Sequence, residues 1–215
     1  MIEIKNLSYH YRKQRTAVLD HITATFDEGR FYAIIGESGS GKTTLLSLLA
    51  GLDVPTEGAV YANGTDIRSI GLTRYRRRYV SLVFQNYNLI DYLTAAENVR
   101  LGFAQKRHTD KDNVITLLED VGLTPDIACR SVLRLSGGQQ QRVAIARALA
   151  AGAPTLLADE PTGNLDAATS EGIINLLACT ARERKKCVIA VTHSPRLAAA
   201  ADVVLRLEKG KLWQQ

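Results

Sequence analysis

Three observations predict an α/β protein with a mixed or parallel core sheet and helices. The apolar runs Phe31–Ile35, Thr155–Ala158 and Cys187–Thr192 recur between helical stretches, as strands buried on both faces do. The first run leads into Gly36-Glu37-Ser38-Gly39-Ser40-Gly41-Lys42-Thr43-Thr44 and then Leu45–Ala50, which reads as strand, glycine-rich loop, helix. Finally, polar or glycine-rich features close four predicted strands: that loop, Gln85, Asp159-Glu160 and His193. In a parallel α/β sheet these are carboxyl ends, where ligands bind, so the four describe one site.

The chain has 215 residues, enough for one domain with a substantial core. With 46% hydrophobic and 23% charged residues its composition is that of a globular protein. No apolar run approaches the ~18–20 residues that cross a bilayer, and the first 20 residues lack a secretory apolar region. A cytosolic chain is expected, with any membrane role reached through a partner. Cys129, Cys179 and Cys187 are odd in number, far apart and without C-x-x-C spacing, which points to reduced thiols and no zinc site. The net charge of +5 suits phosphates or an anionic surface.

In chain order, residues 1–35 read as β structure, with Val18 to Phe26 rich in β-branched residues. Gly51 and Pro55 to Gly58 mark turns, and Ala59–Ala62 is a short strand ending at the hairpin signal Asn63-Gly64. Arg74, Arg76, Arg77 and Arg78 form the densest basic run. They read as a solvated helix face rather than a nucleic-acid patch, and no nucleic-acid partner is expected. Tyr79 to Phe84 is a further strand. From about Asn86 to Ala150 the pattern is helical. Thr94 with Glu97, and Thr109 with Asp112, make capping boxes. Val114, Leu117, Leu118 and Val121 form one apolar stripe stopped by Gly122, and Thr124-Pro125 restarts a helix. Strand, helix (about Asp166 to Arg182), strand, a last strand Val203 to Leu207 and a hairpin at Lys209-Gly210 close the chain.

The chemistry follows from residue types. Gly36, Gly39 and Gly41 free the loop backbone so that consecutive N–H groups can face an anion, and the helix that follows adds its positive dipole end. Lys42 supplies a point charge for outer phosphates and Thr43 a hydroxyl for Mg²⁺. In phosphate-loop ATPases an Asp at such a strand end holds Mg²⁺ with the loop's Ser/Thr, and Asp159 with Thr43 suits that role. Glu160 is then free to accept a proton from, or orient, an attacking water, a role typically contributing ~10²–10⁴-fold in rate. Gln85 offers its amide oxygen to Mg²⁺ or to that water. His193 is suited to contact the terminal phosphate or to hold Glu160. Tyr11, with Tyr9 as competitor, offers a ring for adenine stacking, worth ~1–3 kcal/mol. Leu135-Ser136-Gly137-Gly138-Gln139 opens another helix. Ser136 with Gln139 is a capping box, but a cap does not need two glycines in the first turn, and close approach of a phosphate explains the pair better.

Together, in this order, these motifs resemble the nucleotide-binding subunit of an ABC transporter, over essentially the whole chain. Gly36–Thr44 matches the Walker A loop, Leu135–Gln139 the signature, and Leu156–Glu160 the Walker B strand with its following glutamate. Gln85 matches the Q-loop, Asn164-Leu165-Asp166 the D-loop, His193 the switch histidine and Tyr11 the adenine-stacking aromatic. Asp159–Asp166, Phe84–Leu89 and Leu93–Val99 are most similar to the LolD/MacB/FtsE-type branch. Arg30 stands where an acidic residue is common, and Glu37 where Pro or Ser is common; neither occupies a catalytic position.

The resemblance implies one P-loop NTPase domain of ABC-ATPase type over 1–215. It would have a RecA-like core, an N-terminal antiparallel β lobe (1–30 and 57–67) and an inserted helical lobe (about 86–150). It further implies Mg-ATP as ligand, with Glu160, His193 and Lys42 catalytic and Thr43, Gln85 and Asp159 around the metal. The signature of one copy would cap ATP held by the Walker A loop of another, giving an ATP-bound homodimer. A separate transmembrane permease subunit would meet the chain near Gln85–Tyr92, on the cytoplasmic face of the membrane. Export or efflux is the expected task, and an FtsE-like ATPase of a non-transporting division complex the alternative. A soluble ABC ATPase of DNA repair or translation would carry a coiled-coil insertion or a second cassette, and neither pattern occurs.

Overall fold

The computed structural model describes residues 1–11, 16–103 and 111–215, with Lys111 and Asp112 described in backbone only. β1 (Ile2–Tyr9) and β2 (Leu19–Phe26) pair antiparallel, and β3 (Phe31–Ile35) leads through the glycine-rich loop into α1 (Lys42–Leu49). β4 (Glu57–Ala62) and β5 (Thr65–Asp66) form the hairpin expected at Asn63-Gly64, both of which have positive φ. Short helices α2 (Ile67–Ile70) and α3 (Leu72–Arg78) precede β6 (Val80–Val83). Between β6 and β7 (Thr155–Asp159) lie α4 (Ala95–Gly102), α5 (Lys111–Asp120), two 3₁₀ turns (Pro125–Cys129 and Val132–Arg134) and α6 (Gly137–Ala150). The chain closes with α7 (Ala167–Arg182), β8 (Cys187–Thr192), α8 (Pro195–Ala200), β9 (Val203–Glu208) and β10 (Lys211–Gln214).

Two sheets result. One is antiparallel, in the order β2-β1-β4-β5; the other is mixed, in the order β10-β9-β3-β8-β7-β6. In the second sheet β3, β6, β7, β8 and β9 are parallel, and only the edge strand β10 turns back. All six residues of β8 are buried, as a central parallel strand requires. Its side chains alternate between two cores. Val188 and Ala190 join Phe31 and Ala33 of β3 and the apolar faces of α4 to α7. Ile189 and Val191 join Tyr32, Ile34, α1 and the antiparallel sheet. The mixed sheet is thus the middle layer, and its carboxyl edge carries the loops.

Within α6, Val143 to Ala146 and Ala148 to Ala150 are all buried. So continuous an apolar run in the second half of the helix belongs in the interior. Burying each large aliphatic side chain contributes about 1.5–3 kcal/mol, which fixes the helix and therefore its N-terminal end.

Most predicted elements stand where the pattern puts them. The Thr94/Glu97 capping box forms, and the Val114, Leu117, Leu118, Val121 stripe is buried with Gly122 at φ 79° after it. Thr109, and with it the Thr109/Asp112 box, lies outside the described residues. Thr124-Pro125 starts a five-residue 3₁₀ turn rather than an α-helix. The α3 arginines form a largely exposed face, although Arg76 reaches back to the Gly51 carbonyl at 2.6 Å. α8 was not expected; its Leu197-Ala-Ala-Ala run lacks a polar-apolar period, but Ser194 caps it and Pro195 opens it.

Candidate functional site

The loop after β3 is shaped by two glycines. A Cβ on Gly36 would meet the Leu207 carbonyl of β9 at 2.4 Å, so Gly36 is required by the close passage of neighbouring backbone. The structure corrects the sequence expectation here: Gly36 has no positive φ, and only Gly39 and Gly41 adopt left-handed backbone. Gly41, at φ 100°, is the N-cap of α1 and provides no side-chain bond to the helix amides, which leaves that helix end suited to an anion. Glu37 and Ser38 are exposed beside it. Lys42 Nζ donates to the carbonyls of Gly36 at 2.8 Å and Glu37 at 3.0 Å, folding the ammonium over the loop. Ser40 Oγ is buried without a hydrogen-bond partner.

Thr43 Oγ1 donates to Asp159 Oδ1 at 3.3 Å, joining the loop to the end of β7. Burial pushes the Asp159 carboxyl above its ordinary value. The Thr43 hydrogen bond opposes this, the Glu160 charge adds to it, and the Lys42 charge lowers it. Glu160 follows at φ 43°, left-handed backbone that is costly for a residue with a Cβ. Three groups at the end of β8 hold its carboxylate. Thr192 Oγ1 donates to Oε2 at 3.1 Å, the His193 amide donates to Oε2 at 3.3 Å, and His193 Nδ1 lies 2.9 Å from Oε1. His193 therefore meets Glu160 directly. Thr192 went unnoticed in the sequence because a threonine ending a strand carries no motif.

A cavity of about 450 Å³ opens over the loop, with Tyr11, Gly41, Lys42, Thr43, Thr44 and Glu160 among its walls. Tyr11 is 48% exposed, and its hydroxyl lies 2.9 Å from Thr44 Oγ1. Tyr9 is buried behind it, edge-on at 5.2 Å, with its hydroxyl donated to Asp53. Of the two tyrosines, only Tyr11 presents a ring to the cavity.

Other predicted residues gather nearby in two groups. Gln85 follows β6 and exchanges hydrogen bonds with Asn164: Gln85 Nε2 donates to Asn164 Oδ1 at 3.4 Å, and Asn164 Nδ2 donates to the Gln85 carbonyl at 3.3 Å. Its amide thus contacts Asn164, while Thr43 and Asp159 contact each other. Leu165 is half-buried, and Asp166 caps α7 through the Ala168 and Thr169 amides. The second group is the start of α6. Leu135 is buried, Ser136 is the N-cap, and Ser136 and Gln139 form the reciprocal capping box that the sequence allowed. Gly137 and Gly138 form its first turn. None of Leu135 to Gln139 lines the cavity over the loop. Two bracing residues lacked any sequence signal. Arg147 Nη1 and Nη2 donate to the carbonyls of Asn88 and Tyr87, both in left-handed backbone, and buried Asn98 bonds Ile90 through its amide.

The donor set fits a magnesium-bound phosphate chain. Among the described residues no cluster of three or more His, Cys, Asp or Glu could hold a metal alone. One carboxylate and one hydroxyl suit Mg²⁺, which takes few protein oxygens and completes its shell with water and phosphate. The unpartnered Ser40 hydroxyl and the uncapped α1 amides face the same requirement for an anion.

A parallel sheet with this loop at its carboxyl edge defines the class: a phosphate-loop NTPase. The ABC transporter family profile matches residues 19–163, more than half of the chain. YclH of Bacillus subtilis, an ABC transporter ATP-binding protein, is 42% identical over 213 residues, covering 98% of this chain and 94% of the relative. The lipoprotein-releasing system ATP-binding protein LolD of Syntrophotalea carbinolica is 42% identical over 220 residues, covering 99% and 96%. The dimeric post-hydrolysis structure of the ATP-binding cassette MJ0796, from Methanocaldococcus jannaschii and bound to ADP and Pi, matches with a TM-score of 0.90 and 37% identity. That match covers 100% of this chain and 98% of that one. The chain belongs to the ABC transporter family, as an ATP-binding protein of that family.

Proposed function

We propose that this chain binds Mg-ATP, closes head-to-tail on a second copy around two nucleotides, and hydrolyses ATP to drive export through a separate membrane subunit. The observation that carries this reading is the shared carboxyl edge: Lys42, Thr43, Asp159, Glu160 and His193 converge there, whereas the signature residues do not line the cavity. A second copy is needed to bring Ser136 and the α6 amides to the nucleotide. The dimeric MJ0796 cassette supports that arrangement.

Residue roles follow from the contacts. Lys42 exchanges the Gly36 and Glu37 carbonyls for outer phosphate oxygens, and the other loop amides surround the same phosphates. Thr43, Asp159 and Gln85 would hold Mg²⁺. Bound Mg²⁺ neutralises charge developing on the phosphoryl oxygens. Glu160 takes the proton of the attacking water, and His193 fixes the Glu160 carboxylate for that transfer. Tyr11 stacks on adenine. The Asn164-Leu165-Asp166 turn lies at the interface between copies. Tyr87 to Tyr92, with Tyr92 86% exposed, forms the contact with the membrane subunit. No helix among the described residues is long and apolar enough to cross a membrane, which agrees with a peripheral position on the cytoplasmic face. The similarity to LolD, a lipoprotein-releasing system ATP-binding protein, supports export.

The test is steady-state ATP hydrolysis by Glu160→Gln with nucleotide affinity measured alongside. The rate should fall about 10²–10⁴-fold with ATP binding kept. Hydrolysis at the parent rate would remove Glu160 from the role of base.

A further inference from the structure

A contact inside the chain bears on the second glycine of the α6 turn. A Cβ placed on Gly138 would stand 2.2 Å from Thr169 Cγ2, a separation that real Cβ atoms do not show. Thr169 Cβ and Oγ1 would lie at 3.6 and 3.7 Å, which is ordinary contact. The Thr169 hydroxyl donates to Asp166 Oδ2 at 2.6 Å, while Asp166 Oδ1 accepts from the Ala168 and Thr169 amides. Leu165, in the same turn, would lie 3.4 Å from a Cβ on Gly137. One side chain therefore touches both segments: its methyl group packs on the start of α6, and its hydroxyl holds the turn before α7.

We propose that Thr169 is a positioning residue that locks the Asp166 turn and the Ser136-Gly138 end of α6 into one unit. Gly138 is glycine because of this internal contact, not because a phosphate of the other copy approaches it. The inference rests on the dimer reading above, in which both segments face the second copy. It gives that face a mechanical basis: the turn that follows Glu160 and the cap over the other nucleotide cannot shift independently. It also replaces the reason the sequence suggested for Gly138, close approach of a phosphate.

Substitution separates the two explanations, because Thr169→Ser removes Cγ2 and keeps the hydroxyl. On a Glu160→Gln background, Gly138→Ala, Thr169→Ser and the double variant are compared by ATP-dependent dimer formation, by binding of a fluorescent ATP analogue to dilute chain, and by thermal melting. Gly138→Ala should lower the melting temperature and raise the ATP concentration for half-maximal dimer roughly tenfold to a hundredfold, with analogue binding kept. The double variant should recover melting, and should dimerise within about threefold of Thr169→Ser alone. A double variant that melts normally but does not dimerise overturns the proposal and places the requirement at the nucleotide. So does a Gly138→Ala chain that melts and dimerises like its background. If the Glu160→Gln chain itself stays monomeric in ATP, the dimer reading fails separately. The melting cycle still judges the contact, and absence of rescue there overturns it.

Discussion

Glu160 illustrates how a single residue is held against its own backbone preference. Left-handed backbone costs a non-glycine residue on the order of 1–3 kcal/mol, and three hydrogen bonds from Thr192 and His193 over-determine it. Its neighbour Asp159 carries a different cost. Burial raises the Asp159 carboxyl above its ordinary value of 3.8, so the folded chain binds that proton more tightly than the unfolded chain does. The stability this group contributes is present below pH 3.8 and is lost as pH rises through the raised value. At neutral pH the ionised group opposes folding. Asp159→Asn, which keeps an oxygen for Thr43, should melt higher than the parent at pH 7 without Mg²⁺, and the gain should vanish toward pH 3.8 and below. A variant that melts lower at pH 7 would show that the charge stabilises the fold. The acids and His193 were legible in the sequence because each ends an apolar strand. Thr192 and Thr169 were not: the partner of Thr192 lies 32 residues away, and Thr169 meets Gly138 only through the packing of α7 on α6.

At the scale of elements, strands and caps were the most readable, because periodicity and capping chemistry are local. β8 was bounded at Cys187 and Thr192 by an apolar run alone, and the Ser136 and Thr94 boxes by side-chain type at fixed spacing. Less readable was what holds the segment after Gln85. Asn98, fully buried on α4, accepts from the Ile90 amide at 2.8 Å and donates to the Ile90 and Thr94 carbonyls at 3.2 and 3.1 Å. A polar residue on a buried helix face looks like an error in the pattern until its partners are known. Asn98→Leu would strand the Ile90 amide, since the Ile90 and Thr94 carbonyls also accept from the backbone amides of Leu93 and Asn98. It should cost about 1–3 kcal/mol, or roughly 2–12 °C in melting temperature. A change below about 1 °C would show that the Ile90 segment finds other partners. Gly36 teaches the converse lesson: the motif marked the residue, but only strand order showed that β9 lies against it.

For the whole molecule, the arrangement of sites implies more than one copy. The cavity over the loop and the α6 turn are separate surfaces of one chain, each able to receive an anion and each incomplete as a closed site. The proposed head-to-tail pairing would bring one to the other twice. The sequence showed both helix ends but not whether they meet within a chain; in the fold, none of the α6 turn residues lines the cavity over the loop. The most direct measurement is the solution mass of the Glu160→Gln chain in ATP and Mg²⁺, by light scattering after size exclusion. Twice the chain mass is predicted. The same chain carrying Ser136→Arg should bind nucleotide yet remain at the mass of one chain. A monomer in the first case, or an undiminished dimer in the second, would contradict the account.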